Sequence, residues 1–340
     1  LRHPKKTANL LLFYRGELAR TGNKFITFGA LFDTCHPLFG FTLCRMMEKE
    51  DISHIHAYCS NMSTNHAVVA AHLLDKSLSF TGYVDFDFEY SFKMLKEKIS
   101  LADFMVVHTV FCRERMVGYV GENNRNKIHI VRIGLDFDRL PTAPGPSRDR
   151  MLRLLSICGL VEKKGLNYLL DACAQLRERI PEFRLYIIGD GPLRDSLIQR
   201  THDLKLEGNV IFMGALPNHQ VFEYLTEDSI LVMPSTYTPS GERDGIPMVI
   251  VEAMAMGVNV ISTRVSGIPE VVEDGANGLL VADEDSGALA DAILRLHGDT
   301  ELFNRLRKAG GPKVRQMFDV KKNAAELARL LENSLAQAPD

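Results

Sequence analysis

Asp244 and Glu252 stand in a stretch, Pro234–Val281, that reads PSTYTPSGERDGIPMVIVEAMAMGVNVISTRVSGIPEVVEDGANGLLV. A hydrophobic strand ends at Pro234-Ser235, and a polar, turn-rich loop then delivers Asp244 and Gly245. A helix opens near Ile246-Pro247 and carries Glu252; a turn at Gly257, a strand over Val258–Ser262 and a tight turn at Ser266-Gly267 follow. Two carboxylates therefore fall on either side of a helix N-terminus. Backbone N–H groups at such a terminus hold anions, and carboxylates grip hydroxyls through charge-assisted hydrogen bonds. A ligand with phosphate in its middle and polyols at both ends fits this pattern, and a nucleotide-sugar is such a ligand. Glu252 has a plainer reading as an acid that complements the helix dipole. Against it, the helix is apolar nearly all round, hence buried, and a buried carboxylate needs partners.

Three other groups of residues carry chemistry. In Gly159-Leu-Val-Glu-Lys-Lys-Gly165, Lys163 and Lys164 sit between a strand's end and a helix, where a lysine suits a phosphate; a solvated lysine pair is the alternative. Ile188-Gly-Asp-Gly-Pro-Leu-Arg194 resembles a dinucleotide fingerprint but has Arg194 in place of the third glycine, so it is weak as an NAD motif and adequate as a tight strand-to-helix turn. His54 and His56 flank Ile55 at a strand's end and share one face. No third metal ligand follows nearby, so the reading is one packed histidine and one that lines the site.

Composition narrows the class. The chain has 340 residues, 46% hydrophobic and 24% charged, enough for two domains with separate cores. A net charge of −3 argues against nucleic acid. The charge is uneven: residues 1–145 hold 18 basic and 15 acidic side chains, or +3, which leaves −6 for the rest. Arg2, Lys5, Lys6, Arg15, Arg20 and Lys24 crowd the first 24 residues with only Glu17 against them. Six cysteines show no C-x-x-C pair, which argues against a zinc site and for a reduced, cytoplasmic setting. No apolar run approaches the ~20 residues that span a bilayer, and no signal peptide is visible. The chain opens at Leu1 rather than Met, so an N-terminal piece is expected to be missing.

The elements that must position these residues alternate. In the first half the pattern gives strands over Ile52–Cys59, Leu78–Tyr83, Phe104–His108 and Lys127–Ile133, with helices over Pro37–Met47, Thr64–Leu74, Ser91–Ser100 and Arg113–Val120. Pro141-Thr-Ala-Pro-Gly-Pro-Ser147 suits neither helix nor strand and reads as an interdomain linker. The second half gives strands over Arg153–Ile157, Arg184–Ile188, Val210–Met213, Ile230–Met233, Val258–Ser262 and Gly278–Val281. Its helices run over Leu166–Arg179, Leu193–Leu204, His219–Glu227, Val249–Met256, Pro269–Glu273, Gly287–Leu296, Glu301–Ala309 and Lys321–Leu335. Such alternation calls for parallel sheets covered by helices. The expectation is an α/β protein with two facing Rossmann-like domains, over 1–145 and 150–311, and a C-terminal helix (312–340) that returns to the first domain. Ligands in such sheets bind beyond the strands' carboxyl ends, so the groove between the domains is the expected site.

Together these pieces resemble the retaining glycosyltransferases of the GT-B fold, family GT4 (group 1), over about residues 52–335. The family's E-x7-E signature is matched by Asp244-x7-Glu252, in the Asp form of the bacterial exopolysaccharide and colanic-acid-type branch. SGIPEVVEDGANGLLV (266–281), VEKKGL (161–166), IGDGPLR, Phe212-Met-Gly214 and IHAYCS also fit the family's segments. The resemblance implies roles. Glu252 would hold ribose hydroxyls and Asp244 the donor sugar. Backbone groups at Gly245, Ile246 and Met248 would approach the diphosphate or sugar. Lys164, aided by Lys163, would neutralise the leaving phosphate, and the Gly191 and Gly214 loops would approach the base. Tyr83 and His56 would line the catalytic face. No metal or other cofactor is expected, because basic groups and a helix dipole stabilise the departing nucleotide.

Two positions depart from the family. Phe80-Thr81-Gly82-Tyr83 has Tyr83 where the family's F-T-x-H places an active-site histidine, and Gly159 stands where an Arg usually precedes the lysine loop. An Arg–diphosphate contact contributes about 1.5–3 kcal/mol, so its loss would weaken donor affinity roughly tenfold or more. The family's N-terminal strand and glycine loop are expected to be missing as well. The resemblance implies transfer of a sugar from a nucleoside diphosphate sugar to a saccharide or lipid-linked acceptor in cell-surface polysaccharide synthesis. A binding protein that kept the pocket and lost turnover stands as the alternative, with a sugar-nucleotide epimerase third. The basic N-terminal segment is either a peripheral membrane contact on an anionic face or an ordinary basic surface.

Overall fold

A strand whose side chains alternate Ser77-Leu78-Ser79-Phe80-Thr81 must offer one apolar and one hydroxyl-bearing face. Both faces are buried in the computed structural model of this chain, which describes residues 40–60, 62–83, 95–141, 145 and 151–336. The described residues fall into two compact units, one through Arg132 joined by Ala324 onward, the other Ile133–Asn323.

In the first unit, among the described residues, β1 (His54–Tyr58), β2 (Ser77–Thr81), β3 (Phe104–Val107) and β4 (Ile128–Ile130) form a parallel sheet in that order. Each strand neighbours the next in sequence, and right-handed crossovers then put the linking helices on a single face. The helices Met62–Leu74, Leu95–Leu101 and Val110–Val120 make those crossovers. Val68, Ala71, Ile99 and Met116 bury that face with Leu78, Phe80, Met105 and Val107 of the strands. Thr109 starts the last of these helices by accepting a hydrogen bond from the Cys112 N–H at 2.9 Å. Helical residues 40–49 pack Cys44 and Met47 on Val69 and Leu73.

On the opposite face, β1 and β2 carry a continuous polar ladder. Ser77 Oγ lies 2.5 Å from Asp103 Oδ2 and 2.6 Å from His54 Nδ1. Ser79 Oγ lies 2.7 Å from both His54 Nε2 and His56 Nδ1, and Thr81 Oγ1 lies 2.9 Å from His56 Nε2. The parallel register that pairs His54 with Ser77 and His56 with Ser79 builds this ladder. One set of donors satisfies it throughout. Ser77 donates to the Asp103 carboxylate and accepts from His54 Nδ1–H; Ser79 donates to His54 Nε2 and accepts from His56 Nδ1–H; Thr81 donates to His56 Nε2. Both imidazoles are neutral in that arrangement. The helix Val320–Ala336 docks on this same face, with Ser334 Oγ donating to Asp103 Oδ2 at 2.9 Å and Leu330 packed with Phe104 and Val106.

In the second unit, among the described residues, the six parallel strands are β5 (Leu152–Ile157), β6 (Phe183–Ile188), β7 (Val210–Gly214), β8 (Ser229–Met233), β9 (Asn259–Thr263) and β10 (Leu279–Val281). Their order is β10-β9-β8-β5-β6-β7. The chain moves outward from β5 through β6 to β7, then returns to pair β8 against the other side of β5, with Leu155 opposite Leu231. The direction of winding reverses between β5 and β8, and at such a point the loops beyond the strands part to leave a crevice.

Element types and order follow the sequence reading closely, and the helix Leu166–Arg179 matches it residue for residue. One helix differs. The reading ends it at Ala309, before Gly310-Gly311-Pro312, yet the helix runs Thr300–Phe318. Gly310 lets the backbone approach Met254, where an added Cβ would lie 3.2 Å from the Met254 Cβ. Val314 and Phe318 beyond it are buried in the same core. Packing thus overrides the local breakers. The proposed linker Pro141–Ser147 lies mostly outside the described residues, as does the basic N-terminal segment.

His54, His56, His108 and His129 all have pKa values below the ordinary 6.5, each chiefly because burial penalises the charged ring. The unfolded chain therefore binds protons more readily as pH falls through 6.5. Stability should be fully present above that value and decline below it, with each histidine adding up to about one proton to the slope. Melting temperature followed from pH 8 to 5 should be flat and then fall, and His54→Asn with His56→Asn should flatten the fall. An acid limb unchanged in that variant would show that the ladder does not hold neutral rings.

Candidate functional site

The crevice predicted by strand order is where the charged candidates meet. The loop after β5 carries Lys163 and Lys164; the loop after β8 carries Ser235 and Asp244. Lys164 Nζ donates to Asp244 Oδ2 at 2.7 Å, and Ser235 Oγ donates to the same oxygen at 3.0 Å. Lys163 Nζ stands 3.8 Å from Asp244 Oδ1. Asp244 is only 8% exposed. The sequence reading had Lys164 on a phosphate and Asp244 on a sugar; the structure joins the two side chains directly.

Backbone contacts fix this meeting. Gly165 has φ +64°, and an added Cβ would sit 1.9 Å from the Pro234 carbonyl oxygen at the end of β8. Only glycine accepts both the left-handed backbone and that approach. Beside it the Thr236 N–H donates to the Lys163 carbonyl at 2.9 Å. The lysine loop is thus stitched to the loop that bears Ser235. Thr263 Oγ1 on β9 donates to the Ser235 carbonyl at 2.5 Å, which ties the same loop to the next strand.

The helix that follows runs Met248–Ala255. Pro247 stands at its N-cap and makes no side-chain capping hydrogen bond, and the N–H groups of Met248 and Val249, in the first turn, have no intrahelical acceptor. Gly245 lies just before, its carbonyl accepting from the Gly267 N–H at 3.1 Å. Ile246 and Met248 pack against the core beneath. Glu252 is the fifth residue of this helix, beyond the first turn, so the dipole-complement reading does not describe it. It is half-buried, and burial raises its pKa, with no charged neighbour among the described residues to oppose the effect. A carboxylate so placed gains from hydroxyl donors.

Gly191 packs its Cα on the backbone of the Cys158–Leu160 turn, where a Cβ would come within 2.6 Å of the Leu160 carbonyl oxygen. Gly214 ends β7 with φ +71°, and its carbonyl accepts from the Gly189 N–H at 2.8 Å. These glycines hold three neighbouring turns at the carboxyl end of the sheet. Burial pushes the Cys158 thiol up to about 11, against the pull of Lys164, so this cysteine stays a thiol.

Two residues went unmarked in the sequence. Arg243, next to Asp244, is 3% exposed with its guanidinium 5.4 Å from the Tyr237 ring centre. A polar loop gave no sign that an arginine in it would be buried. Ser266 has φ +52°, its N–H donates to the Tyr237 hydroxyl at 3.3 Å, and its own hydroxyl meets no partner among the described residues.

Of the first-unit candidates, His56 has both ring nitrogens engaged by Ser79 and Thr81, and His54 is held likewise, so neither lines an open face. Tyr83 lies past β2 with its ring against His108 and Tyr58. Among the described residues no group of three His, Cys, Asp or Glu side chains could hold a metal ion.

Two parallel α/β units of this kind define the GT-B class, and comparison with known proteins agrees. HepE of Anabaena, solved in complex with UDP, superposes with a TM-score of 0.73 at 19% identity over 86% of this chain and 82% of that one. Sucrose-phosphate synthase of Thermosynechococcus elongatus gives 0.69 at 21% identity over 92% and 81%. Residues 145–311 match the family model Glycosyl transferases group 1, and this chain carries a domain of that family. WcaL of Escherichia coli K12, assigned to colanic acid biosynthesis, is 36% identical over 209 residues, 61% of this chain and 52% of WcaL. The amylovoran biosynthesis glycosyltransferase AmsK of Erwinia amylovora is 34% identical over 207 residues, 61% and 51%. The chain spans about half the length of the curated relatives it matches.

Gly165→Ala should force the lysine loop off Pro234 and lower the melting temperature, at a cost of roughly 2 kcal/mol or more. Thermal unfolding of this variant beside Gly208→Ala, where an added Cβ meets nothing within 4 Å, checks it. Equal melting temperatures would mean that the stitch between the loops is not under steric constraint.

Proposed function

We propose that this chain is a retaining glycosyltransferase that moves a sugar from a nucleoside diphosphate sugar to a saccharide or lipid-linked acceptor in cell-surface polysaccharide synthesis. The observation that carries this reading is the cluster at the reversal of the second sheet. Two lysines, a buried aspartate and a helix start without a side-chain cap converge there, with a half-buried glutamate one turn further on.

The chemistry follows from the charges. Breaking the bond between sugar and diphosphate leaves negative charge on phosphate oxygens. Lys163, Lys164 and the N–H groups of Met248 and Val249 are preorganised donors for that charge, and such donors are most effective where it develops. Asp244 holds Lys164 in place until phosphate competes for it, and its carboxylate then accepts from a sugar hydroxyl. Glu252 accepts from both ribose hydroxyls, which relieves its burial. The loops at Gly191 and Gly214 flank the base. No step in this scheme requires a metal ion. Retention of anomeric configuration fits a front-face displacement in which the departing phosphate itself takes the acceptor's proton.

A second reading has one observation in its favour. Gly159 stands where the family's arginine would meet the diphosphate, and it leaves the phosphates to lysines already committed to Asp244. A nucleotide-binding protein with impaired turnover would show that loss.

We place the protein in the cytoplasm, with peripheral membrane contact through the basic segment at its N-terminus. Among the described residues no helix is long and apolar enough to cross a membrane. Co-sedimentation with vesicles should rise with anionic lipid; binding indifferent to lipid charge would dismiss the contact.

Calorimetry with UDP and GDP, paired with a donor-hydrolysis assay, tests the main reading. One nucleotide should bind the parent, and Glu252→Ala should weaken it by about a hundredfold, the effect of two charge-assisted hydrogen bonds. Lys164→Ala should weaken the diphosphate but leave uridine or guanosine affinity unchanged. Undiminished nucleotide binding by Glu252→Ala would refute the ribose role. Binding without hydrolysis of any donor would favour the second reading.

A further inference from the structure

His108 directly follows β3, at the carboxyl end of the first unit's sheet. Its Nδ1 lies 2.8 Å from the Val131 carbonyl oxygen. A carbonyl only accepts, so Nδ1 carries the proton and Nε2 presents a lone pair. That Nε2 is buried and meets no hydrogen-bond partner among the described residues. Native interiors rarely leave a polar atom so placed, and each instance calls for an explanation.

The backbone around this ring is held on several sides. Val131 N–H donates to the Val107 carbonyl at 2.9 Å, Arg132 Nη1 donates to the His108 carbonyl at 3.2 Å, and Thr109 caps the helix that follows. The imidazole is therefore fixed in place and in tautomer, with its acceptor nitrogen uncommitted. Burial lowers its pKa, which keeps the ring neutral at neutral pH.

Aromatic surface adjoins it. The Tyr83 ring stands edge-on to the imidazole at 4.9 Å, and the Tyr58 ring stands edge-on to Tyr83 at 5.2 Å. Tyr58 is 65% exposed, at the end of β1. Three successive strand ends thus supply an open aromatic face, a second ring beside it, and an oriented acceptor behind that ring. A pyranose offers matching groups: an apolar C–H face for the tyrosine and hydroxyl donors at its rim. Tyr83 also occupies the position at which the sequence lacks the expected histidine, and the structure brings an imidazole beside it from the neighbouring strand.

We propose that His108, Tyr83 and Tyr58 form a saccharide subsite in the first unit, in which a sugar hydroxyl donates to His108 Nε2 and the sugar's C–H face lies on Tyr58. Entry of the hydroxyl requires the Tyr83 ring to rotate off the imidazole. The occupant is the acceptor sugar, and that assignment rests on the transferase reading above; the sugar-binding claim itself does not.

Saturation-transfer NMR with a mixture of the methyl α-glycosides of glucose, galactose, mannose and N-acetylglucosamine tests it, alongside calorimetry with UDP and GDP. At least one glycoside should give a response in the parent. His108→Phe should weaken it about tenfold, as expected for one lost hydrogen bond to a buried acceptor. Tyr58→Ala, at an exposed position that does not endanger folding, should weaken it as well, and His108→Gln should restore part of it by returning an acceptor. Nucleotide affinity should stay within about twofold in all three variants. A glycoside response independent of both residues, or no response to any of the four, would overturn the subsite. So would a ¹⁵N spectrum of His108 showing the proton on Nε2. Loss of nucleotide binding by the parent would instead count against the transferase reading and leave the sugar test standing.

Discussion

The ion pair between Lys164 and Asp244 is the constraint around which the second unit is arranged. A nearly buried carboxylate and its lysine lose hydration that their attraction only partly returns, so such pairs add little to stability by themselves. The fold nonetheless holds them together from several directions. Gly165 approaches Pro234 as no other residue could, Thr236 binds the Lys163 backbone, Ser235 donates to the same carboxylate oxygen, and Thr263 anchors Ser235 from the next strand. An arrangement that costs stability and is still fixed this firmly suits a group that must meet a charged ligand in one geometry. Glu252 shows the same logic from the other side: burial raises its pKa, and among the described residues no neighbouring charge offsets the effect.

The first unit distributes its polar groups differently. One face of its sheet is an apolar core under three helices, and the other carries a hydrogen-bonded line from Asp103 to Thr81 beside the apolar contact of Phe104 and Val106 with Leu330. Each hydroxyl in that line donates once and each imidazole accepts once, so the line has one direction and requires neutral rings. Ser334 joins it at the Asp103 end, where the C-terminal helix docks. Satisfied networks of this kind specify a single packing, whereas partly satisfied ones are costly. His108 stands outside the line, with one nitrogen bonded and the other without a partner among the described residues.

The two sheets also differ in the site each can build. The first is wound in one direction, so its strand ends form a row: Tyr58, Tyr83 and His108 follow one another along it. The second reverses between β5 and β8, so its loops part, and charged groups from residues 80 positions apart in sequence meet at 2.7 Å. A row of rings suits the broad, weakly polar face of a sugar; a crevice with lysines and a helix start suits phosphate.

The sequence by itself determined the elements, their order and the residues able to do chemistry. Alternation of period two, helical runs and glycine turns are local signals, and an acid-x7-acid spacing across a loop and a helix is local as well. It did not determine that Lys164 would meet Asp244, because pairing β5 with β8 is a non-local choice made by burying two faces of one sheet. It misread the end of the helix at Gly310, where packing on Met254 outweighed local breakers. It marked His56, which is central in β1, for the catalytic face and passed over His108, which directly follows β3. Register decided between them: one imidazole falls between two hydroxyls of the neighbouring strand, the other beside a carbonyl that can occupy only one of its nitrogens. Which polar atoms remain uncommitted depends on which neighbours the fold supplies, and only the tertiary structure supplies them.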